Sequence, residues 1–271
     1  MTSRRRSSKA KTPSVSKVTP ALPQGADPDM WAGLRQLTAA RIGLASSGAS
    51  LPTRPLLDLR LAHARARDAV HAPLDEPALA ADLRVFNLPV LVVSSAAKDR
   101  SQYLMRPDLG RKLASAEPVR GNKQTRYDVV FVITEGLSAR AMAHAKPLLA
   151  EILPVLTREG WRTAPLIVAR LGRVAIGDAI AAAVRADICV ILIGERPGLS
   201  APDSMGAYLT WRPNKRTTDA ERNCISNIRP EGMSYADAAF KLLHLLRAMR
   251  AGKASGVALK DTTDRLLIGG R

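Results

Sequence analysis

Residues 128–172 read DVVFVITEGLSARAMAHAKPLLAEILPVLTREGWRTAPLIVARLG, and the spacing of apolar residues changes twice along this stretch. Short β-branched runs at 128–136 and 164–172 are typical of strands. Between them, Ser138 to Glu159 has apolar residues at helical spacing. The stretch therefore predicts a strand, a helix and a second strand that lies parallel to the first in the same sheet.

The same pattern continues on both sides of this unit. PVLVVSS (89–95) precedes it, and DICVILIGE (187–195) follows after a short helical stretch from Asp178 to Ala186. Continuous hydrophobicity of this kind is expected for strands that are buried on both faces. We therefore predict an α/β fold built on a parallel sheet flanked by helices. Pro147 and Pro154 are expected to kink or split the long helix.

Before this region and after it, the pattern is mainly helical. Helical spacing covers 29–38 and 54–70, and a final helix is predicted to begin after Ser234, a good N-cap. These patterns divide the chain into a disordered basic segment at 1–27, a small helical N-terminal domain at 28–85, and a sheet domain at 86–271.

The chain has a formal net charge of +17, and its first 26 residues include six basic residues and no acidic one. A segment of this kind, rich in Ser, Thr and Pro, is expected to be disordered. The charge leaves open an alternative function, a nucleic-acid-binding protein that uses this segment and binds with a steep salt dependence. Aromatic residues make up only 4% of the chain, too few for platforms that stack on single strands.

The two cysteines, Cys189 and Cys224, are far apart in sequence and form no CxxC pattern. Neither a disulfide framework nor a metal site is indicated, and a reducing, cytoplasmic location is favoured. The sequence has no secretory signal and no apolar run of about 20 residues, so we expect no membrane partner. Cys189 is expected to be buried in a strand, whereas Cys224 falls in a predicted polar loop.

Polar side chains and glycines follow the predicted strands. Glu135 comes after the second strand, Val174 after the third and Glu195 after the fourth. Because the carboxyl ends of parallel strands lie at one edge, a single crevice could collect all three, depending on the strand order. A different interpretation is that Ser138 caps the following helix, with Glu135 as its local partner.

The stretch from Asp187 to Gly232 has many hydrogen-bonding side chains on two turns. Such a surface suits a ligand that is rich in amides and hydroxyls. A structural loop with internal polar caps is the open alternative.

Four motifs stand out between Arg41 and Lys260: RIGLASSGASLPT with LAHARARDAVHAPLD, then EGLSARA, then LGRVAIGD, then LIGERPGLSAPDSMGAYLTW with ERNCISNIRPEGMSYADAA. Together with the closing KASGVALK, they resemble the small (light) subunit family of ethanolamine ammonia-lyase, an adenosylcobalamin-dependent enzyme. The motifs occur in the order found in that family. GERPGL and CISNI at this separation, behind the other three motifs, make the resemblance specific.

The resemblance implies a subunit of a carbon–nitrogen lyase that converts ethanolamine to acetaldehyde and ammonia. In the family, a large subunit with a TIM barrel carries the catalysis, and the small subunit supplies a Rossmann-like domain on the other side of the cobalamin. Residues 86–271 are accordingly expected to be Rossmann-like and to contact cobalamin. By motif, the cofactor-binding residues are Val174, Glu195 and Cys224, and no residue of this chain is expected to be catalytic.

Further expectations follow from the resemblance. The partner is a large subunit, in a trimer of heterotetramers, with no nucleic acid bound. Adenosylcobalamin is expected to bind base-on, because the chain has no DxHxxG motif, the signature of enzymes that replace the lower axial base with a histidine. The location is cytoplasmic or a bacterial microcompartment. Glu135 departs from the aspartate that is more frequent in the family, which leaves the role of this position open.

Overall fold

The computed structural model describes residues 31–263, apart from positions 39, 45, 47 and 121–123. The basic segment predicted at 1–27 and the first residues of the helix predicted at 29–38 lie outside these residues. Within the described part, the chain forms eight α-helices, several short 3₁₀ turns and a sheet of six strands. None of the helices in that part is both long and apolar enough to cross a bilayer.

Three helices precede the sheet: α1 (Ala32–Leu37), α2 (Thr53–His71) and α3 (Glu76–Leu83). α2 confirms the helix predicted at 54–70, but it is largely exposed and buries only Ala62 and Ala69. In contrast, α3 packs Leu79 and Leu83 into the core formed with the sheet. The limits of a separate N-terminal domain stay a prediction.

The strands lie in the order β1-β3-β2-β4-β5-β6. They are β1 (Val90–Ser94), β2 (Tyr127–Thr134), β3 (Leu166–Arg170), β4 (Ala186–Gly194), β5 (Met205–Trp211) and β6 (Arg222–Ile228). The first four are parallel to one another and confirm the strands predicted from the apolar runs. Helix α6 (Ala145–Arg158) connects β2 to β3, and helix α7 (Ile176–Val184) connects β3 to β4. Parallel strands need crossover connections of this kind.

The prediction of an entirely parallel sheet is wrong, because β5 and β6 are antiparallel and make the sheet mixed. Cys224 lies in β6 and not in the predicted polar loop. Along β6, only Arg222, Ile225 and Ile228 are buried, so the strand has no continuous apolar run. These buried positions are three residues apart, so they give neither an apolar run nor the alternation of a half-exposed strand, and β6 is hard to distinguish from a loop.

The α/β class is confirmed, with helices on both faces of the sheet. One face packs against α3, α6 and α8 (Tyr235–Gly252), and Phe131 and Ile133 are fully buried there. The other face packs against α7, where Val132 and Ile191 are buried. This second face stays open at its end, since Cys224 on β6 is exposed.

The long helical stretch is divided, as predicted, although not at its prolines. A 3₁₀ turn, Ala139–His144, precedes α6. Pro147 lies in the first turn of α6, where a missing N–H breaks no helical hydrogen bond, and Pro154 lies inside the helix. α8 begins as predicted, because Ser234 Oγ accepts a hydrogen bond from Asp237 N–H at 3.1 Å.

Candidate functional site

The loops that follow β2 and β4 are in direct contact at the carboxyl edge of the parallel strands. Leu137 N–H donates to Gly194 O at 2.9 Å. Gly136 has a φ of +49°, and a Cβ there would lie 2.3 Å from that same carbonyl oxygen. Such an approach of two backbones needs glycine. The contact holds the loop that contains Glu135 against the loop that contains Glu195.

A cleft of about 410 Å³ lies at this edge, and we call it the carboxyl-edge cleft. The loop after β3 contributes Arg173 and Val174 to its lining, and the loop after β4 contributes Glu195. The ring of Tyr208, from β5, lines the cleft as well. The structure thus brings Val174 and Glu195 into one cavity.

Glu195 is held through one of its two carboxylate oxygens. Oε2 accepts hydrogen bonds from Ser204 Oγ and, at 3.2 Å, from Asn227 N–H. A Cβ on Gly206 would lie 2.9 Å from Oε1, so the glycine makes room for the side chain. No group in the described part of the chain donates to Oε1. Glu195 is therefore fixed in position, and its Oε1 can still accept a hydrogen bond.

The turn at 229–232 supports Glu195 through Asn227. Asn227 has a φ of +59°, a left-handed conformation that asparagine tolerates better than most residues. Its carbonyl oxygen accepts from Met233 N–H at 2.7 Å, and a Cβ on Gly232 would lie 2.4 Å from that oxygen. The two polar turns between Asp187 and Gly232 are thus connected by the bond from Asn227 to Glu195.

Cys224 lies next to the carboxyl-edge cleft, paired with Tyr208 across β5 and β6. Its thiol is exposed and lies 3.3 Å from Ser226 Oγ. Burial, with smaller contributions from Cys224 and Glu195, raises the pKa of the Tyr208 hydroxyl, so Tyr208 is neutral at physiological pH. Tyr208 lies beside Cys224 and lines the same cleft as Val174 and Glu195, yet sequence reasoning missed it because β5 was not predicted.

Glu135 is not among the residues that line the carboxyl-edge cleft. It is only 4% exposed, and it accepts hydrogen bonds from Leu171 N–H at 2.8 Å and from Thr134 Oγ1 at 3.2 Å. Burial raises the pKa of its carboxyl, although the bond from Leu171 opposes this rise. The capping interpretation is also wrong, because Ser138 Oγ donates to Pro202 O at 2.8 Å and caps no helix.

A buried ion pair connects α7 to β6. Arg222 donates to both carboxylate oxygens of Asp178 at 2.7 Å, and to Thr210 Oγ1 at 3.1 Å. Asp178 follows Val174 closely in sequence, and Arg222 closely precedes Cys224. The pair therefore fixes the segment that contains Val174 relative to the strand that contains Cys224. Sequence reasoning missed it because its members are 44 residues apart.

The two cysteines have different environments, and both are free. Cys189 Sγ is buried and donates to Gly177 O at 3.4 Å, and burial raises the pKa of this thiol. Cys224 is exposed beside the cleft. In the part of the chain that the structure describes, no three His, Cys, Asp or Glu side chains are grouped as metal ligands are.

Comparison with known proteins agrees with the motifs. The family model of the ethanolamine ammonia-lyase light chain (EutC) matches residues 28–260. The chain is 48% identical to the ethanolamine ammonia-lyase small subunit of Ralstonia nicotianae, over 88% of this chain and 90% of that protein. It is 48% identical to the small subunit of Pseudomonas aeruginosa, over 90% and 91% of the two chains. It is 50% identical to that of Xanthomonas campestris pv. campestris, over 89% and 91%. The chain therefore belongs to the ethanolamine ammonia-lyase light chain family.

Proposed function

We propose that this chain holds adenosylcobalamin against the catalytic large subunit of an ethanolamine ammonia-lyase, which converts ethanolamine to acetaldehyde and ammonia. When bound, the cofactor supplies radical chemistry by homolysis of its cobalt–carbon bond. The part of this chain is to bind the cofactor and to orient it. Membership of the light chain family supports the enzyme complex, and the carboxyl-edge cleft supports the role within it.

The grouping of Val174, Glu195 and Cys224 around Tyr208 is the observation that carries this proposal. The grouping lies at the edge of the sheet where α/β folds bind ligands. The corrin ring of cobalamin carries neutral carboxamides, whose NH2 groups are hydrogen-bond donors. Glu195 Oε1 has no donor in the described part of the chain, and it suits such a group. The residues present therefore fit the cofactor.

The chemistry of the site supports binding by this chain more than catalysis. Cys224 contacts Ser226 and Tyr208, and no histidine among the described residues is bonded to it. It therefore lacks the base that a nucleophilic thiol requires. Glu135 is engaged by internal hydrogen bonds and is not a free acid at the cleft. We infer that the catalytic and substrate-binding groups belong to the large subunit.

The assembly and the location belong to the same proposal. We propose a trimer of heterotetramers with the large subunit, base-on binding of the cofactor, and a location in the cytoplasm or in a bacterial microcompartment. The nucleic-acid alternative has no specific support. Its basic segment lies outside the described residues, and surface arginines such as Arg126, Arg162 and Arg247 form ion pairs with acids.

The substitution Glu195→Ala tests the proposed function in the complex that is co-purified with the large subunit. We expect the Kd for adenosylcobalamin to rise roughly ten- to a hundredfold, because a hydrogen bond to a charged acceptor is lost. The absorbance of base-on cobalamin measures the binding. Glu151→Ala, at an exposed position of α6, is the matched control and should leave the Kd unchanged.

Two outcomes would contradict the proposal. An unchanged Kd for Glu195→Ala in an intact complex would remove Glu195 from the binding site. Failure of the wild-type chain to form a cobalamin-binding complex with any large subunit would remove the function itself.

A further inference from the structure

Tyr103 lies between two arginines beside the carboxyl-edge cleft. It belongs to α4 (Arg100–Met105) and is fully buried. The guanidinium carbons of Arg100 and Arg173 lie 4.9 Å and 4.5 Å from the centroid of its ring. Its hydroxyl donates to Gly172 O at 3.1 Å, and burial raises its pKa to about 12. A neutral ring thus holds two positive charges close together.

The positive charge of this cluster is only partly balanced. Glu135 is the acid whose charge acts on Arg100 and Tyr103. Burial lowers the pKa of Arg100, and the charge of Arg173 adds a smaller lowering. Neither arginine forms an ion pair with any residue that the structure describes. The cluster therefore favours a group that accepts hydrogen bonds.

The two arginines differ in how many of their donors are used. Arg100 donates from Nε to Val70 O at 2.7 Å and from Nη1 to Gly136 O at 2.6 Å. Arg173 has only a 3.4 Å contact from Nη2 to Tyr103 O, and its Nε, like Nη2 of Arg100, is buried without an acceptor in the described part of the chain. Because an unpaired buried donor costs free energy, Arg173 gains by donating to a bound group.

Arg173 is also fixed in position at the start of its side chain. Its N–H donates to Gly110 O at 2.7 Å, and a Cβ on Gly110 would lie 2.7 Å from Arg173 Cγ. The next two amides, of Val174 and Ala175, donate to no group within the described residues and lie just before α7. The loop after β3 thus presents donors, whereas Glu195 presents an acceptor.

We propose that Arg173 and Glu195 together bind a primary carboxamide of the cofactor, with Arg173 donating to the amide oxygen and Glu195 Oε1 accepting from the amide nitrogen. This inference rests on the proposed function and adds to it a residue and the ligand group that the residue recognises. Both side chains line the same cleft, one on each of two loops. A carboxamide has one strong acceptor and one donor group, so it satisfies both.

A phosphate is the other group that an arginine commonly binds, and cobalamin has one in its nucleotide tail. A phosphate would satisfy Arg173 but would bring a second negative charge to the cleft that contains Glu195. Like charges at short range disfavour each other, and a neutral amide avoids this cost. The presence of Glu195 therefore favours the carboxamide.

Affinity measurements on the complex with the large subunit test the proposal. Arg173→Gln should weaken the binding of adenosylcobalamin about tenfold, and Arg173→Lys should recover part of the loss. Arg173→Gln should weaken the binding of adenosylcobinamide by the same factor, because this compound keeps the ring amides but lacks the nucleotide tail. Arg158→Gln, at the exposed end of α6, is the control and should change neither affinity. Circular dichroism and gel filtration establish that the variants fold and assemble.

A loss that is seen with adenosylcobalamin but not with adenosylcobinamide would assign Arg173 to the phosphate and overturn the proposal. Unchanged affinity of Arg173→Gln for both compounds would overturn it as well. If the wild-type complex binds no adenosylcobalamin, the proposed function fails, which is a separate result.

A second experiment tests the role of Glu195 in the proposal and does not use adenosylcobinamide. It uses adenosylcobalamin derivatives in which a single ring amide is hydrolysed to a carboxylate. One of them should bind poorly to the wild-type complex because its new charge meets Glu195, and Glu195→Gln should restore its binding. If Glu195→Gln restores the binding of none of these derivatives, Glu195 faces no ring amide and the proposal is wrong.

Discussion

The three central parallel strands and the two antiparallel strands of the sheet differ in burial and in what they contribute. β2, β3 and β4 are almost entirely buried and consist mainly of apolar residues. β5 and β6 leave Tyr208 half-buried and Cys224 exposed at the edge of the candidate site. The central parallel strands therefore contribute mainly to the core, whereas β5 and β6, which also bury Leu209 and Ile225 in that core, shape the ligand surface together with the adjoining loops. Substitutions in the two parts should therefore have separable effects.

The largest effect is expected from Phe131→Ala in the parallel part. Phe131 is fully buried in the core, and its truncation should lower the free energy of unfolding by about 3–5 kcal/mol. Urea denaturation measures the loss. The affinity of the folded complex for the cofactor should stay close to that of the wild type. A loss below about 1 kcal/mol would mean that the parallel part does not dominate stability.

Asp178→Ala should destabilise the chain by about 3 kcal/mol, because Arg222 would stay buried without its bidentate partner. This substitution affects both parts of the sheet, since the ion pair connects α7 to β6. Asp219→Ala is the control, because Asp219 contacts the same arginine but is 81% exposed, and its loss should cost less than about 1 kcal/mol. Equal losses in urea denaturation would show that burial of the pair has little importance.

Gly206→Ala should affect binding more than folding. The new Cβ would lie 2.9 Å from Glu195 Oε1 and would displace the carboxylate. We expect the Kd for adenosylcobalamin to rise about tenfold, with a change in unfolding free energy of about 1 kcal/mol or less. Gly198→Ala is the control, since its nearest neighbours would be 3.8 Å away. The same Kd for both variants would argue against the assigned position of Glu195.

The smallest effect on stability is expected from Cys224→Ala, within about 0.5 kcal/mol, because the thiol is exposed. The wild-type thiol should react readily with iodoacetamide, whereas buried Cys189 should react only after unfolding. Mass spectrometry of alkylated peptides measures the two rates. Comparable rates in the native chain would show that the two parts of the sheet do not differ in burial as described.

The sequence predicted the elements whose signals are local. The four parallel strands have continuous apolar runs, and the last helix has its own N-cap in Ser234. β6 was missed because its buried positions are three residues apart and form no apolar run, whereas β5 was missed although most of its residues are buried. The capping role predicted for Ser138 was wrong because a distant carbonyl, that of Pro202, competes for its hydroxyl.

The candidate site was predictable only in part. The family motifs named Val174, Glu195 and Cys224, and the strand ends placed the first two at one edge of the sheet. The partners that hold them could not be found from spacing. Asn227 meets Glu195 across 32 residues of sequence, and no local pattern records such a contact.

The hydrogen bond from Leu137 to Gly194 joins the two carboxyl-edge loops. Loop amides usually exchange their hydrogens with solvent quickly, but we expect the Leu137 amide to exchange only when its hydrogen bond to Gly194 opens. A molecule that binds to the β4 loop at Glu195 would stabilise this hydrogen bond. Binding would therefore slow hydrogen exchange at the Leu137 amide, on the neighbouring loop. The exchange rate of this amide would then report whether the cleft is occupied, without a label.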